Sequence, residues 1–243
     1  MHSYSIYAMI QRIFIIIMNS DTLRMHYIHF ADPTGWLKLR GTFALPMSTA
    51  GCPIGLSSDG YILQDTYNFF RVNSRSNGIA KRLQVSVHSD YIITQYCVKS
   101  SVMNDDDTNP WPTGSYCIGR RDEECPDGFN EGFIKWDDKN INNRNQHYGE
   151  LPDGEYGRNT KVFYCCRSDG PSTKPVKLPT DMPFVLYRYG GKCQQVEGMR
   201  VQQDYIQWIN EGIIWNSDSS GGRHPDNDGG NMNHKIFYCY YTN

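Results

Sequence analysis

Residues 116–125 read Tyr116-Cys117-Ile118-Gly119-Arg120-Arg121-Asp122-Glu123-Glu124-Cys125, and their frame occurs twice more, in residues 43–52 (FALPMSTAGC) and 184–193 (FVLYRYGGKC). In each, an aromatic and an aliphatic residue stand two apart, six residues follow, and a cysteine closes the stretch: Cys52, Cys125 and Cys193. Three identical spacings mark an internal repeat, and a repeat decides the architecture before any local assignment does. Some 40–46 residues after those cysteines, each copy reaches an aromatic residue beside a second cysteine: Tyr96-Cys97, Tyr164-Cys165 and Tyr238-Cys239.

Between the two cysteines, the first copy has Gly60-Tyr61-Ile62-Leu63-Gln64-Asp65 and the second Gly132-Phe133-Ile134-Lys135-Trp136-Asp137. Alternation with period two is the pattern of a half-buried strand. The third copy aligns most simply through Gly198-Met199-Arg200-Val201, which places Asp204 one residue late. The separators are rich in Gly, Pro, Asn and Asp, as turns require. Residues 104–110 (NDDDTNP) and 168–175 (SDGPSTKP) read as linkers, giving repeats of about 36–105, 106–177 and 178–243.

The composition is that of a folded protein: 243 residues, 39% hydrophobic and 21% charged, with 17 tyrosines that favour strands. A formal net charge of −2 gives no broad attraction to nucleic acid, which needs clustered Lys and Arg. The eight cysteines contain no C-x2-C pair, so disulfides are expected in preference to a zinc ribbon, and with them an oxidising, extracellular compartment. Residues 13–18 (IFIIIM) are apolar but make a poor signal peptide, with Arg12 before them and no clear cleavage site, and a transmembrane helix needs about 20 apolar residues. Residues 1–34 are therefore expected to form a leader or an extension outside a domain spanning 35–243, with a cytoplasmic location as the alternative.

Equivalent cysteines should be bonded equivalently, which selects one arrangement from about a hundred. The expected bridges are Cys52 to Cys97, Cys125 to Cys165 and Cys193 to Cys239. The remaining two, Cys117 and Cys166, stand where other copies carry Ala44 or Val185 and Val98 or Tyr240, so they form a bridge private to the second copy. Cys165 and Cys166 are strand neighbours and must point to opposite faces, consistent with different partners. The fold predicted is all-β and disulfide-stapled, with three pseudo-symmetric antiparallel repeats in a β-prism-like arrangement that hides sheet edges.

The second copy is the most distinctive stretch: Trp111-Pro112-Thr113-Gly114-Ser115-Tyr116-Cys117-Ile118, then Cys125-Pro126-Asp127-Gly128-Phe129, Leu151-Pro152-Asp153-Gly154-Glu155-Tyr156 and Tyr164-Cys165-Cys166-Arg167. It resembles the C-terminal domain of the apextrin family, ApeC, and the resemblance runs from about Leu39 to the closing Tyr238-Cys239-Tyr240-Tyr241. The resemblance implies an animal protein of innate immunity, often secreted, that binds bacterial peptidoglycan or muramyl peptides. The alternatives are a membrane- or protein-docking β-prism module and an intracellular adaptor of immune signalling. It implies no catalytic residue set.

A peptidoglycan binder needs aromatic faces for sugars, amides for N-acetyl and peptide groups, and a cation for carboxylates. Residues 136–148 (WDDKNINNRNQHY) hold all three, so Trp136, Asp137, Asp138, Asn142, Asn143, Arg144 and Asn145 are the candidate ligand contacts. The competing reading is a turn whose Asp and Asn side chains satisfy their own backbone. In a β protein Trp111 and Trp136 are more often core residues than ligand platforms, and Trp36, Trp208 and Trp215 are read in the same way. The acidic runs at 105–107 and 226–229 lack the glutamate that completes an EF-hand loop, and no metal or cofactor is expected. His147 near Glu150 is a weak acid–base pair, and with no helical H-E-x-x-H, G-x-S-x-G or phosphate-binding loop an enzyme is not expected.

Overall fold

The computed structural model describes residues 35–66, 74–101, 108–138, 143–209, 217–229 and 233–243; the expected N-terminal extension and the acidic run at 105–107 lie outside them. The first copy contains β1 (Phe43–Pro46), β2 (Ser57–Asp65), β3 (Arg75–Ser76), β4 (Val85–Val87) and β5 (Tyr91–Lys99). The second contains β6 (Ser115–Gly119), β7 (Asn130–Trp136), β8 (Gln146–Tyr148), β9 (Gly154–Tyr156) and β10 (Thr160–Ser168). The third contains β11 (Phe184–Arg188), β12 (Arg200–Gln207), β13 (Ser219–Gly222) and β14 (Lys235–Thr242). Every strand pair is antiparallel, and the described residues add only one 3-10 turn, Ile79–Lys81.

One pairing scheme recurs. The last strand of each copy, β5, β10 or β14, lies between that copy's short first strand and its long second strand. The late cysteine stands opposite the aliphatic residue of the opening motif: Leu45↔Cys97, Ile118↔Cys165 and Leu186↔Cys239. All four expected disulfides are formed, Cys52–Cys97, Cys125–Cys165, Cys193–Cys239 and Cys117–Cys166, and none crosses between copies. Cys117 and Cys166 are directly opposed across β6 and β10, at the register position of Ala44↔Val98 and Val185↔Tyr240.

Strand alternation sorts these residues into two cores. Leu45, Ile118, Leu186, Cys97, Cys165 and Cys239 share one with Trp36 and Trp111. Tyr96, Tyr164 and Tyr238, the neighbours of the late cysteines, share the other with Cys117 and Cys166. Fully burying each such large side chain stabilises the fold by about 1.5–3 kcal/mol.

The copies are not self-contained. The free edge of each second strand is covered by a short strand lent by a different copy: β8 pairs with β2, β13 with β7 and β3 with β12, a closed cycle of exchange. Lent backbone therefore passes close over the second strand. A Cβ at Gly60 would lie 1.7 Å from Glu150 O, and one at Gly132 2.2 Å from Arg223 O, so both positions require glycine.

The strand register corrects the sequence alignment of the third copy. Gly60 faces Tyr96, Gly132 faces Tyr164, and the residue facing Tyr238 is Asp204. Asp204 is thus the counterpart of those glycines, not a late version of Asp65 and Asp137. Where copies one and two admit passing backbone, Asp204 pairs with Arg82 of the first copy, both carboxylate oxygens accepting at 2.5 Å. Gly198 instead matches Gly55 and Gly128. All three have φ of 75–89° in turns closed by Met199 N–H to Val196 O, Leu56 N–H to Pro53 O and Phe129 N–H to Pro126 O. Gly198 thus serves a turn, not the strand.

Candidate functional site

Of the candidate residues that are described, Trp136, Asp137 and Asp138 are buried, Asn143 and Asn145 are half-buried and Arg144 is exposed. Trp136 is 2% exposed, its ring packed against Trp208 (centroids 5.3 Å apart) and His234 (5.4 Å). The face expected to stack on a sugar is core. Asp137 is buried, its backbone N–H donating to Asp218 Oδ1 at 2.6 Å and its Oδ2 accepting from the Ser217 N–H and hydroxyl, both at 2.9 Å. Asp65 makes the same reciprocal clamp: its N–H donates to Asn145 Oδ1 at 2.7 Å, and its Oδ2 accepts from the Arg144 N–H at 3.0 Å. In the third copy Ile209 has no carboxylate, and its N–H donates to Ser74 Oγ at 3.1 Å. The aspartate ending the second strand is therefore a fastener for the strand lent by another copy.

The remaining candidates serve the same junction. Arg144 Nε binds Asp65 Oδ2 at 3.2 Å and its Nη2 binds Asp90 Oδ2 at 2.9 Å, so its charge is already matched. Asn143 Nδ2 donates to the carbonyls of Asp138 (2.6 Å) and Arg158 (3.1 Å), and Asn145 Nδ2 to Asp138 Oδ2 and Gly157 O, both at 3.1 Å. Asn142 and Trp215 lie outside the described residues. His147 lies against the Tyr156 ring (5.5 Å), while Glu150 accepts from Ser100 Oγ at 3.0 Å, so the two form no acid–base pair. Among the described residues no group of three or more His, Cys, Asp or Glu side chains is placed to hold a metal ion.

Asp138, 1% exposed, has its pKa raised to about 7, chiefly by burial, with hydrogen bonds from Thr160 and Asn145 opposing the rise and the Asp218 charge adding to it. A raised carboxyl pKa gives stability that is full below the unfolded value near 4 and lost as pH climbs through about 7. The Asp138→Asn variant, which keeps the shape and cannot ionise, should therefore lose less stability than the parent between pH 4 and 8. The expected difference is on the order of a few kcal/mol. Denaturant unfolding at pH 5 and pH 8 measures it, and parallel profiles for the two proteins would refute it.

Outward aromatic rings in copies two and three are also covered. Lys161 sits over Phe133 and Phe163, Lys235 over Tyr205 and Phe237, and Arg120 and Arg188 over Phe163 and Phe237 at 4.1 and 3.6 Å.

Polar groups converge instead on a cleft of about 270 Å³ between the linker at 168–175 and the third copy, lined by Ser172, Thr173, Gly191, Lys192, Gln195 and Gln203 with Val201 and Cys193; of these, Gln203 already accepts from Arg188 Nη1 at 3.0 Å through its Oε1. Its walls are held from behind. Copies one and two place one step between the early cysteine and the turn proline, Cys52-Pro53 and Cys125-Pro126, whereas the third inserts Gln194-Gln195 between Cys193 and Val196. Gln194 is buried, its Oε1 accepting from the Ser115 N–H (2.8 Å) and its Nε2 donating to Lys174 O (2.7 Å), while its carbonyl accepts from the Tyr241 hydroxyl (2.8 Å). The linker is stitched across by Gln195 N–H to Ser172 O (2.8 Å) and Val176 N–H to Gln195 O (2.9 Å).

The turn carrying Lys192 is equally fixed. Asp226 accepts from the Gly190 and Gly191 N–H groups at 2.9 and 2.7 Å and from Arg188 Nε at 2.6 Å. Asp153, Arg120 and the N–H groups of Asp122 and Glu123 repeat this arrangement in the second copy. Asp226, part of an acidic run considered for calcium, is a turn staple. The cleft escaped the sequence reading because its walls come from a linker, an insertion and a turn; the signal available was the Gln194-Gln195 insertion.

Comparison with protein-family models matches residues 38–241 to the C-terminal domain of apextrin, ApeC. No curated protein and no solved structure matches the chain.

Proposed function

Because the chain belongs to the family of the C-terminal domain of apextrin, ApeC, we propose that it is a non-enzymatic recognition domain for bacterial peptidoglycan or muramyl peptides in innate defence. The observation that carries this reading is the third-copy cleft, a concave site whose lining offers amides, hydroxyls and one ammonium beside apolar surface. Its volume of about 270 Å³ suits one sugar or a short peptide stem, not a polymer. Four disulfides are consistent with an extracellular setting and weigh against the intracellular adaptor. The recurring strand scheme and the closed cycle of lent strands support a β-prism-like arrangement of the copies about one axis.

The docking-module alternative needs a cluster of exposed apolar side chains. Among the described residues the exposed large ones are Ile54 and Tyr148. No helix of the described residues is long and apolar enough to cross a membrane.

Sedimentation with insoluble peptidoglycan tests the proposal: the oxidised protein should be retained, and the double variant Lys192→Glu/Gln195→Ala should be released to the supernatant. Absence of retention for the parent protein would overturn recognition.

A further inference from the structure

Building on the recognition reading for the ligand's source, we propose that the third-copy cleft holds its ligand by a free carboxylate, with the Lys192 ammonium as counter-ion. Lys192 is the one charged residue of the lining. Among the described residues nothing pairs with its ammonium, and the side chains of Ser172, Thr173 and Gln195 likewise make no hydrogen bond. A cation beside unspent donors and acceptors, with no carboxylate in the lining, attracts an anion that also offers amide or hydroxyl groups. Asp226 does not compete, since both its oxygens are engaged by Arg188 and the turn N–H groups.

The other copies make the assignment sharper. The tight turn that follows each first strand is closed by the pairs Ser48↔Gly51, Arg121↔Glu124 and Tyr189↔Lys192. At the position of Lys192 the first copy therefore has Gly51 and the second has Glu124, preceded by Asp122-Glu123. One turn is neutral, one repels an anion, and only the third can pair with one. The paired glycines Gly190-Gly191, both at positive φ, place no side chain between Lys192 and the cleft, whereas the second copy has Asp122 and Glu123 there.

The proposed ligand is a small polar molecule with one free carboxylate, such as the end of a peptide stem, and masking that carboxylate as an amide removes its main anchor. Two-dimensional amide NMR of the oxidised protein tests this, with muramyl dipeptide, its fully amidated form, and N-acetyl-alanyl-alanine as a probe unrelated to cell wall. Both acids should shift the amides of Gly191, Lys192, Gln195 and Gln203, and the amidated form should bind roughly tenfold more weakly or less. Lys192→Gln should abolish the acid–amide difference, and Lys192→Arg should restore it. Equal binding of acid and amide, or shifts lying outside the cleft, would overturn the assignment even if insoluble peptidoglycan is still retained. Carboxylate-dependent shifts with the N-acetyl dipeptide, in a protein that peptidoglycan does not retain, would uphold the cleft chemistry and remove the cell-wall reading.

Discussion

The Trp136→Ala variant is expected to lose about 3–5 kcal/mol of stability, the range for removing a large aromatic from a core. Trp136 ends β7 with its ring against Trp208 and His234, at the junction where the third copy lends β13 to the second. Removing the ring leaves a void beside the Asp137 clamp, which then holds the lent strand with less support. Trp136→Phe should cost much less, because the indole N–H of Trp136 has no hydrogen-bond partner and only volume is lost. Denaturant titrations of the three proteins give the ordering through their midpoints. A sugar-stacking role would give the opposite result, with Trp136→Ala stable and defective only in binding.

That contrast shows where the sequence was legible. The disulfide pairing and the second strands that follow Gly60 and Gly132 were readable, because each depends on spacing or alternation within one copy. Cys117 and Cys166 could be paired on paper because the register that opposes them is the one that opposes Ala44 and Val98. The exchange of strands was not readable. β8 is only Gln146–Tyr148, with all three residues exposed, and β13 is Ser219–Gly222, so neither carries an alternation that marks a strand.

For the same reason the partners of the candidates at 136–148 were not legible. Asn, Asp and Arg at a surface binding loop and at a junction between copies look alike in one dimension, and only the partners Asp65, Asp90 and Ser217 distinguish the two. The third copy misled through Gly198, whose positive φ belongs to a turn, while Asp204 filled the glycine's place in the strand with an ion pair.

The second large effect is expected at Cys193–Cys239, not at the private bridge. Replacing both of these cysteines by serine opens a loop whose ends are 46 residues apart and removes the only disulfide of the third copy. In the chain-entropy model that costs roughly 4 kcal/mol. Cys117 and Cys166 are 49 apart, so separation alone predicts an equal or larger loss. Topology argues otherwise, because Cys165, the neighbour of Cys166, is already tied to Cys125. With that tie in place, the private bridge closes a ring of only about ten residues, worth roughly 3 kcal/mol in the same model. The loss is smaller still if the pair becomes Cys117→Ala/Cys166→Val, because Ala44 and Val98 show that the register accepts those side chains in the same core. The third-copy bridge has a further consequence, since Cys193 lines the cleft and joins the Lys192 turn to β14. The Cys193→Ser/Cys239→Ser protein should therefore lose both stability and carboxylate-dependent binding, whereas Cys117→Ala/Cys166→Val should keep its binding with a modestly lower midpoint. Equal losses of midpoint in the two double variants, or retained binding in the first while it remains folded, would mean that the third-copy bridge holds neither the fold nor the cleft in the way its position indicates.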